Sequence, residues 1–305
     1  MHIRVLGSAA GGGFPQWNCA CFNCKGLREG RIAASARTQE SVAVGVEKNA
    51  WFLLNASPEI RQHIEGFVGL QPSSPRHTPI QGILLTNGDL DHCLGLLSLR
   101  ESQPLVVYAT ESVWLGFTRG NVLYRTLTRF AGQVTWVPLA LDISRPLRLM
   151  SGETSGLSVV ALPFPGKLPI HLEGQTPSLG DNIGLRITED ATGKVLAYLP
   201  AVGERSPVVE RAAQAVDAVF FDGTFWSNDE LIEQGLGDKR AQDMAHWPIG
   251  GPNGSLAWLR NLSATHRVFI HVNNTNPVLR DDSPERQAVR DAGLVVAHDG
   301  MELSL

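Results

Sequence analysis

The sequence contains, at residues 84–96, the stretch Leu84-Leu-Thr86-Asn87-Gly-Asp89-Leu-Asp91-His92-Cys93-Leu-Gly-Leu96. An apolar run leads into a cluster of polar side chains, and a second apolar run follows. This order predicts a buried strand, a polar turn at its carboxyl end and the start of a helix, which is where α/β folds place ligands. Asp89, Asp91 and His92 are candidates for metal ligands, acid/base groups or, for the carboxylates, helix N-caps. These residues alone leave the alternatives open.

Short apolar runs bounded by turn-forming residues predict strands along the whole chain. Helical patterns lie between some of them, and no short-period repeat or low-complexity tract is present. We expect few helices between the strands of the first half, alternation of strands and helices in the second, and two sheets covered by helices outside. The predicted strands begin at His2, Ser41, Ala50, Gly82, Leu105, Gln133, Leu157, Gly184, Val195, Ala218 and Arg267, and the predicted helices span 57–65, 112–123, 207–215, 254–262 and 284–292.

The bulk properties describe a globular protein with enough apolar residues for a core. Of the 305 residues, 43% are hydrophobic and 18% are charged, and one large domain over residues 1–305 is the expectation. The formal charge of -4 gives no general attraction to nucleic acid or anionic lipid. The first residues lack the features of a secretory signal, and no apolar run reaches the ~20 residues that span a bilayer. We therefore expect a cytoplasmic protein without membrane insertion.

Three of the four cysteines, Cys19, Cys21 and Cys24, form a C-x-C-x-x-C cluster. This spacing is too tight for a disulfide framework, and three thiolates can converge on one soft ion. A tetrahedral zinc then needs one more ligand from elsewhere. The pattern favours a structural zinc over three unliganded thiols, because a closed shell leaves no position for substrate. Cys93 stands alone and is expected to contribute to packing.

The run at 84–96 resembles the T-H-x-H-x-D-H-x-x-G motif of the metallo-β-lactamase superfamily. Asn87 and Asp89 stand at the two leading histidines, and Asp91 and His92 are preserved. In that superfamily the leading pair serves one metal and the Asp-His pair serves a second. The resemblance implies an α/β fold, the four-layer αββα sandwich, and the two replacements predict that the first metal site is weak or absent.

Later segments follow the order of the superfamily and depart from it at the same site. Ala201 stands where relatives carry the metal-bridging Asp, and Gly166 and Lys167 stand where they provide another His. Asp222 ends a strand whose acidic end faces the pocket in relatives. His271 ends a later strand, as the last metal ligand of the superfamily does. The resemblance therefore leaves Asp91, His92 and His271 as pocket-metal ligands.

The whole chain resembles one family, coenzyme PQQ synthesis protein B. A relative nearer to the hydrolases, the cyclic phosphodiesterase of phosphonate breakdown, shares the cysteine cluster but keeps the full histidine set. In it, a His three residues after the last active-site His completes the zinc site, which implies Asn274 here. The family resemblance rests on Leu6-Gly-Ser-Ala-Ala-Gly-Gly-Gly13, the cysteine cluster, the 84–96 run, Phe220-Phe-Asp-Gly-Thr-Phe-Trp226 and His271-Val-Asn-Asn-Thr-Asn-Pro277.

Two imidazoles and one carboxylate with open positions are typical of non-haem Fe(II) oxygenases. The first hypothesis is therefore a hydroxylase that uses Fe(II), or another divalent metal, on the tyrosine-derived, peptide-linked PQQ precursor. The resemblance supplies this pathway and substrate. Asp89 and Asp222 would act as proton-transfer groups or support the ligands. Asn87 and His246 are secondary candidates, and a pocket-lining role suits His246 as well as metal binding.

Two rival hypotheses remain. The altered metal site suits a non-catalytic carrier that binds PQQ or its precursor and helps to move it towards the periplasm. A hydrolase with one zinc-activated water is the third hypothesis, and the lost histidines count against it. Other PQQ-synthesis proteins are further candidate partners, and a homodimer stays open.

Overall fold

The computed structural model describes residues 1–305 and contains two sheets of seven strands each. In the first sheet the spatial order is β14-β1-β2-β3-β4-β5-β6, with antiparallel pairing from β14 to β3 and parallel pairing from β3 to β6. Its strands are β1 (His2–Gly7), β2 (Ser41–Gly45), β3 (Trp51–Leu54), β4 (Ile80–Leu84), β5 (Leu105–Ala109), β6 (Val134–Pro138) and β14 (Glu302–Ser304).

The second sheet has the order β13-β12-β11-β10-β9-β8-β7. Strands β7 to β10 pair antiparallel, and β10 to β13 pair parallel. Its strands are β7 (Ser144–Arg148), β8 (Thr154–Pro163), β9 (Ile183–Glu189), β10 (Val195–Leu199), β11 (Ala218–Asp222), β12 (His266–Ile270) and β13 (Val295–Val296).

The two sheets pack face to face through one apolar core. Because side chains alternate across a strand, Val42 and Val44 of β2 face this core while Ala43 faces outwards. In the second sheet, Phe220 of β11 points into the same core and Phe221 points away from it. Both faces of both sheets are therefore buried, as the near-continuous apolar strands require.

Helices cover the outer face of each sheet. The first sheet packs against α2 (Ile60–Glu65), α3 (Leu90–Cys93) and α4 (Glu111–Thr118), and the second against α5 (Pro207–Ala213), α7 (Ser255–Leu259) and α8 (Pro284–Asp291). Two short helices, α1 (Phe22–Arg28) and α6 (Glu230–Glu233), lie in loops. The expected four-layer αββα sandwich is confirmed. No helix combines the length and apolar character that crossing a membrane requires.

Every predicted strand overlaps an observed one, and each of the five predicted helices overlaps an observed helix, but the expectation of few helices between the strands of the first half was wrong. In the first half, α2, α3 and α4 separate β3, β4, β5 and β6, while no α-helix separates β7 from β10. The reason is the pairing: parallel neighbours need a crossover, and antiparallel neighbours need only a turn. The sequence does not predict the edge strands β7, β13 and β14, because they are polar or only two or three residues long.

Candidate metal centre

The predicted pocket residues meet at one end of the sandwich. Asp91 and His92 lie on α3 just after β4, Asp222 is the last residue of β11, and His271 follows β12 directly. All but Asp222 line a cavity of about 280 Å³, together with His246 from the loop before α7. The carboxyl ends of strands from both sheets thus bring together residues that are up to 180 positions apart.

Three donor atoms converge at the floor of this cavity. The Oδ2 atom of Asp91 lies 3.2 Å from Nε2 of His271 and 3.8 Å from Nε2 of His92. The two imidazole rings are nearly perpendicular, with centroids 5.1 Å apart. His92 and His271 are buried, and His92 Nε2 has no hydrogen-bond partner at all. A buried nitrogen without a partner beside a carboxylate is the environment that a bound cation would satisfy.

Each of these histidines is held through its other ring nitrogen by a threonine. Nδ1 of His92 lies 3.2 Å from Oγ1 of Thr86, and Nδ1 of His271 lies 2.8 Å from Oγ1 of Thr224. The Thr224 hydroxyl lies within 2.6 Å of a carboxylate oxygen of Asp222, its closest acceptor. His271 therefore donates from Nδ1 and turns Nε2 towards Asp91 in the cavity, as metal-binding histidines turn their second nitrogen towards the metal.

The ionisable groups strongly perturb one another. Burial would raise the pKa of Asp91, but His92 and His271 together hold it below its usual value. Burial lowers the pKa of His92 to about 4, and the neighbouring histidines add to this shift. For His271, burial is outweighed by the hydrogen bond and charge of Asp91, so that its pKa rises to about 9. Such opposed shifts among neighbours in a cleft are typical of functional sites.

His246, which lines the cavity, and Asp222, which is buried behind it, form a second pair. Burial would raise the pKa of Asp222, yet His246 lowers it through its charge and a 2.7 Å hydrogen bond from Nδ1 to Oδ2. The backbone N–H of Val202 donates to the same oxygen, while Thr224 donates to the other one. His246 stacks on His271, with ring centroids 5.5 Å apart. A buried carboxylate that orients an imidazole is suited to acid/base work.

A further set of lining residues stands at the positions that are altered relative to the superfamily. Asn87, Gly166, Lys167 and Ala201 all line the cavity, and none of them offers an imidazole. The side-chain oxygen of Asn87 accepts from the backbone N–H of Asp89 at 3.0 Å, so it stabilises the turn. Burial and the nearby Asp91 raise the pKa of Asp89, and Lys167 partly offsets this rise.

Two backbone features allow the close approach of these elements. Gly11 lines the cavity, and a Cβ there would lie 3.2 Å from Oδ2 of Asp91. Gly11, in the glycine stretch at 11–13, thus lets the backbone pass close to the pocket. His271 has a φ of 59°, in the left-handed region that non-glycine residues rarely adopt. Strained backbone of this kind is concentrated at functional sites.

The cysteine cluster forms a separate centre near α1. The sulfurs of Cys19, Cys21 and Cys24 lie within 4.8 Å of one another. The side-chain amide of Asn274 caps them, with its nitrogen 3.2, 3.6 and 3.3 Å from the three sulfurs in that order. Burial raises the pKa of Cys21 to about 12, so a cation would be needed to hold its thiolate.

Sequence reasoning missed the residues that support the ligands. Thr86 and Thr224 lie inside the quoted motifs and could have been found there, since threonine beside a ligand often bonds it. Glu40 and Asn55 gave no such signal, although a glutamate directly before the apolar strand β2 is unusual. Cys93 is buried in the outer core, as expected. His63 is buried outside the lining of the cavity, and its Nε2 lies 2.8 Å from the Thr38 hydroxyl.

The αββα sandwich and the donor cluster at its strand ends define the metallo-β-lactamase class of proteins. The model of the beta-lactamase superfamily domain matches residues 50–272. A coenzyme PQQ synthesis protein B from Azoarcus sp. (strain BH72) is 44% identical, and one from Azotobacter vinelandii is 42% identical, each over 100% of both chains. The chain belongs to the coenzyme PQQ synthesis protein B family.

Solved structures agree with this assignment. The Zn(2+)-bound PqqB from Methylobacterium extorquens is 40% identical and superposes with a TM-score of 0.91, covering 100% of both chains. A diphosphatase from the PhnP family is 20% identical, with a TM-score of 0.66 over 100% of this chain and 97% of the other. That second likeness concerns the fold alone.

Proposed function

We propose that this protein acts in PQQ synthesis as a metal-dependent hydroxylase of the tyrosine-derived PQQ precursor. Its family membership supports the pathway. The observation that carries the reaction is the set of Asp91, His92 and His271, whose three donor atoms converge on a cavity with an open side. Two imidazoles and one carboxylate with free positions suit a non-haem Fe(II) oxygenase.

The donor set fits a divalent metal. The unpaired Nε2 of His92 and the Asp91 carboxylate supply a lone pair and a negative charge at the same point. Imidazole and carboxylate suit iron and zinc alike, so the donors alone do not select the metal. Zinc is bound in the relative from Methylobacterium extorquens. Fe(II) at this site would supply the redox chemistry for use of molecular oxygen.

The remaining pocket residues would bind the precursor and move protons. Asp222 holds Nδ1 of His246, so that the other nitrogen of this ring can accept or return a proton. Lys167 is exposed at the rim of the cavity and offers a positive charge to an acidic precursor. Asp89 lies beside Asp91 in the cavity, where it would act as a hydrogen-bonding group.

The cysteine centre would hold a structural zinc. Three thiolates and one amide leave no place for substrate, and a half-turn of the Asn274 amide would bring its oxygen to the point now occupied by its nitrogen. Cys19 and Cys21 lie in the N-terminal loop at 14–21. Asn274 lies in a different segment, three residues after His271. The zinc would thus tie the N-terminal loop to the strand end that carries a pocket ligand.

A second candidate function is a carrier of PQQ or its precursor. It is favoured by the altered lining of the cavity, where Asn87 offers only an amide and Ala201 offers no ligand for the first metal of the superfamily. A single-zinc hydrolase is the third candidate, because zinc bound to the same three ligands could activate a water. The carrier and the hydrolase would use the same cavity as the hydroxylase. Analysis of the products, or of their absence, therefore distinguishes the three functions.

The test is anaerobic reconstitution with Fe(II), followed by addition of the precursor peptide with and without oxygen. Hydroxylation replaces an aromatic C–H bond by C–OH with one oxygen atom of O₂. The other oxygen atom leaves as water with two protons and two electrons, which added ascorbate supplies. An oxygen-dependent gain of one oxygen in the mass spectrum supports the hydroxylase. Binding without product supports the carrier, and zinc-dependent cleavage supports the hydrolase.

A further inference from the structure

A chain of buried polar side chains leads from β2 to the metal pocket. Oε2 of Glu40 lies 3.0 Å from Nδ2 of Asn55, and Oδ1 of Asn55 lies 3.1 Å from Oγ1 of Thr86. The same Thr86 oxygen lies 3.2 Å from Nδ1 of His92. Three segments far apart in sequence thus meet behind one pocket histidine. None of the supporting residues is exposed to solvent.

We propose that Glu40 is a positioning residue that selects the metal-binding form of His92 through Asn55 and Thr86. Oε2 of Glu40 accepts from the Asn55 amide at 3.0 Å, so Asn55 turns its NH₂ group towards Glu40. The amide oxygen of Asn55 then faces Thr86, where the backbone N–H also donates to it at 3.0 Å. Both ends of the amide are therefore fixed.

The orientation of Asn55 decides where the single proton of the Thr86 hydroxyl goes. Oγ1 of Thr86 donates to the amide oxygen, and its lone pair must then accept from Nδ1–H of His92. This leaves Nε2 of His92 with a free lone pair. The reverse form would place an N–H at Nε2, where no acceptor lies within hydrogen-bond distance, since Oε2 of Glu40 is 3.7 Å away.

The backbone of Asn55 supports the same assignment. Its φ of 62° lies in the left-handed region, which asparagine tolerates better than most residues. An asparagine at this position therefore serves both the turn after β3 and the polar chain. Tyr198 holds the amide from the second sheet, with its hydroxyl 3.3 Å from Nδ2. The polar chain is thus supported from the core between the sheets.

This inference rests on the proposed pocket metal but not on the reaction. The test uses the full chain with Co(II) as the probe, competed against a chelator, and the Co(II) bound by the cysteines serves as an internal reference through its sulfur-to-metal absorption. Thr86→Val and Glu40→Leu break the chain of hydrogen bonds. Thr86→Ser keeps the hydroxyl, and Glu40→Gln keeps an oxygen that accepts from Asn55. Ser41→Ala is the matched control, because this buried hydroxyl bonds only backbone carbonyls of residues 54 and 55.

We expect Thr86→Val and Glu40→Leu each to weaken Co(II) binding in the pocket by about 10- to 100-fold. Thr86→Ser, Glu40→Gln and Ser41→Ala should stay within about 3-fold of the parent. The double variant Thr86→Val/Glu40→Leu should be no weaker than the weaker single variant, because both break one chain. Additive losses, or parental affinity in both disruptive variants, would overturn the proposal.

A second measurement does not need the metal. Nitrogen-15 NMR of the metal-free protein should show His92 with its proton on Nδ1, and Thr86→Val should redistribute that proton. The parental protein could show His92 protonated on Nδ1 and yet bind no pocket metal. This result would contradict the proposed function and support the positioning role. A His92 protonated on Nε2 in the parent would overturn the positioning role itself.

Discussion

Nε2 of His271 lies 3.2 Å from Oδ2 of Asp91, although 180 residues separate the two. Thr224 engages the other nitrogen of the ring, so the lone pair of Nε2 faces the carboxylate unless a proton or a metal ion lies between them. Burial would lower the pKa of His271, but the hydrogen bond and charge of Asp91 hold a proton on Nε2 and raise this pKa to about 9. A divalent cation would replace this proton and also engage the unpaired His92, which makes the pair the centre of the proposed metal site.

The first prediction concerns the two imidazole ligands. His92→Ala or His271→Ala should abolish metal binding in the pocket, because each removes one of only three protein donors. Elemental analysis should show that the metal of the cysteine centre is retained, and circular dichroism should show an unchanged fold. Metal content equal to that of the parent would contradict the ligand assignment.

Asp89→Ala should reduce function more mildly than either histidine variant. Asp89 lies in the cavity but outside the converging donor set, and its raised pKa reflects burial and the nearby Asp91. We expect metal content to be retained and turnover of the precursor to fall by about 10-fold, which is less than the about 10²- to 10⁴-fold that a general acid or base contributes. A loss of bound metal equal to that of His92→Ala would show that Asp89 is itself a ligand.

The Asp222–His246 pair should act on protons and not on metal affinity. His246→Gln should keep the pocket metal but lower turnover by about 10²- to 10⁴-fold, because an amide cannot transfer a proton. Turnover and metal content measured on the same samples separate the two roles. If His246→Gln loses the metal, the grouping of Asp222, His246 and His271 is itself a metal site.

The donor residues could be predicted from the sequence because the run at 84–96 and the strand end at His271 resemble the motifs of the metallo-β-lactamase superfamily. Asp91 and His92 stand in one run, and His271 ends an apolar strand. Glu40 and Asn55 could not be predicted, since their role depends on how β2, β3 and β4 lie side by side. The two-sheet architecture followed from the strands, but strand pairing decided the position of the helices. Edge strands such as β14 are too short to leave a pattern.

His63 should make stability depend on pH. Burial lowers its pKa to about 4 from an ordinary 6.5, and its Nε2 is bonded to the Thr38 hydroxyl at 2.8 Å. Between these values the unfolded chain binds a proton that the folded chain refuses, so stability falls as the pH decreases from 6.5 to 4. The free energy of unfolding falls by on the order of 3 kcal/mol over this whole pH range.

Denaturant unfolding at several pH values can isolate this contribution. His63→Gln should flatten the pH dependence between pH 4 and 7 relative to the parent. The matched control is His77→Asn, at an exposed histidine, and should leave the slope unchanged. A parental slope that persists in His63→Gln would assign the effect to other groups.

The last prediction concerns the cysteine centre and its fourth ligand. Cys21 is the N-cap of α1 and accepts from the backbone N–H of Cys24, so its sulfur serves both the helix start and the proposed zinc. Structural zinc contributes folding free energy, about 10 kcal/mol or more in small domains. Cys21→Ser should therefore loosen the N-terminal loop, which faster proteolysis or hydrogen exchange would reveal.

Asn274→Ala should lower the affinity for zinc without abolishing binding, because three thiolates remain, and chelator titration measures the difference. Asn273→Ala, which removes an adjacent amide that bonds Thr275 instead, is the control. Unchanged zinc affinity in Asn274→Ala would show that water or another side chain completes the site, and protein purified without chelator that lacks metal at these thiols would refute the structural zinc.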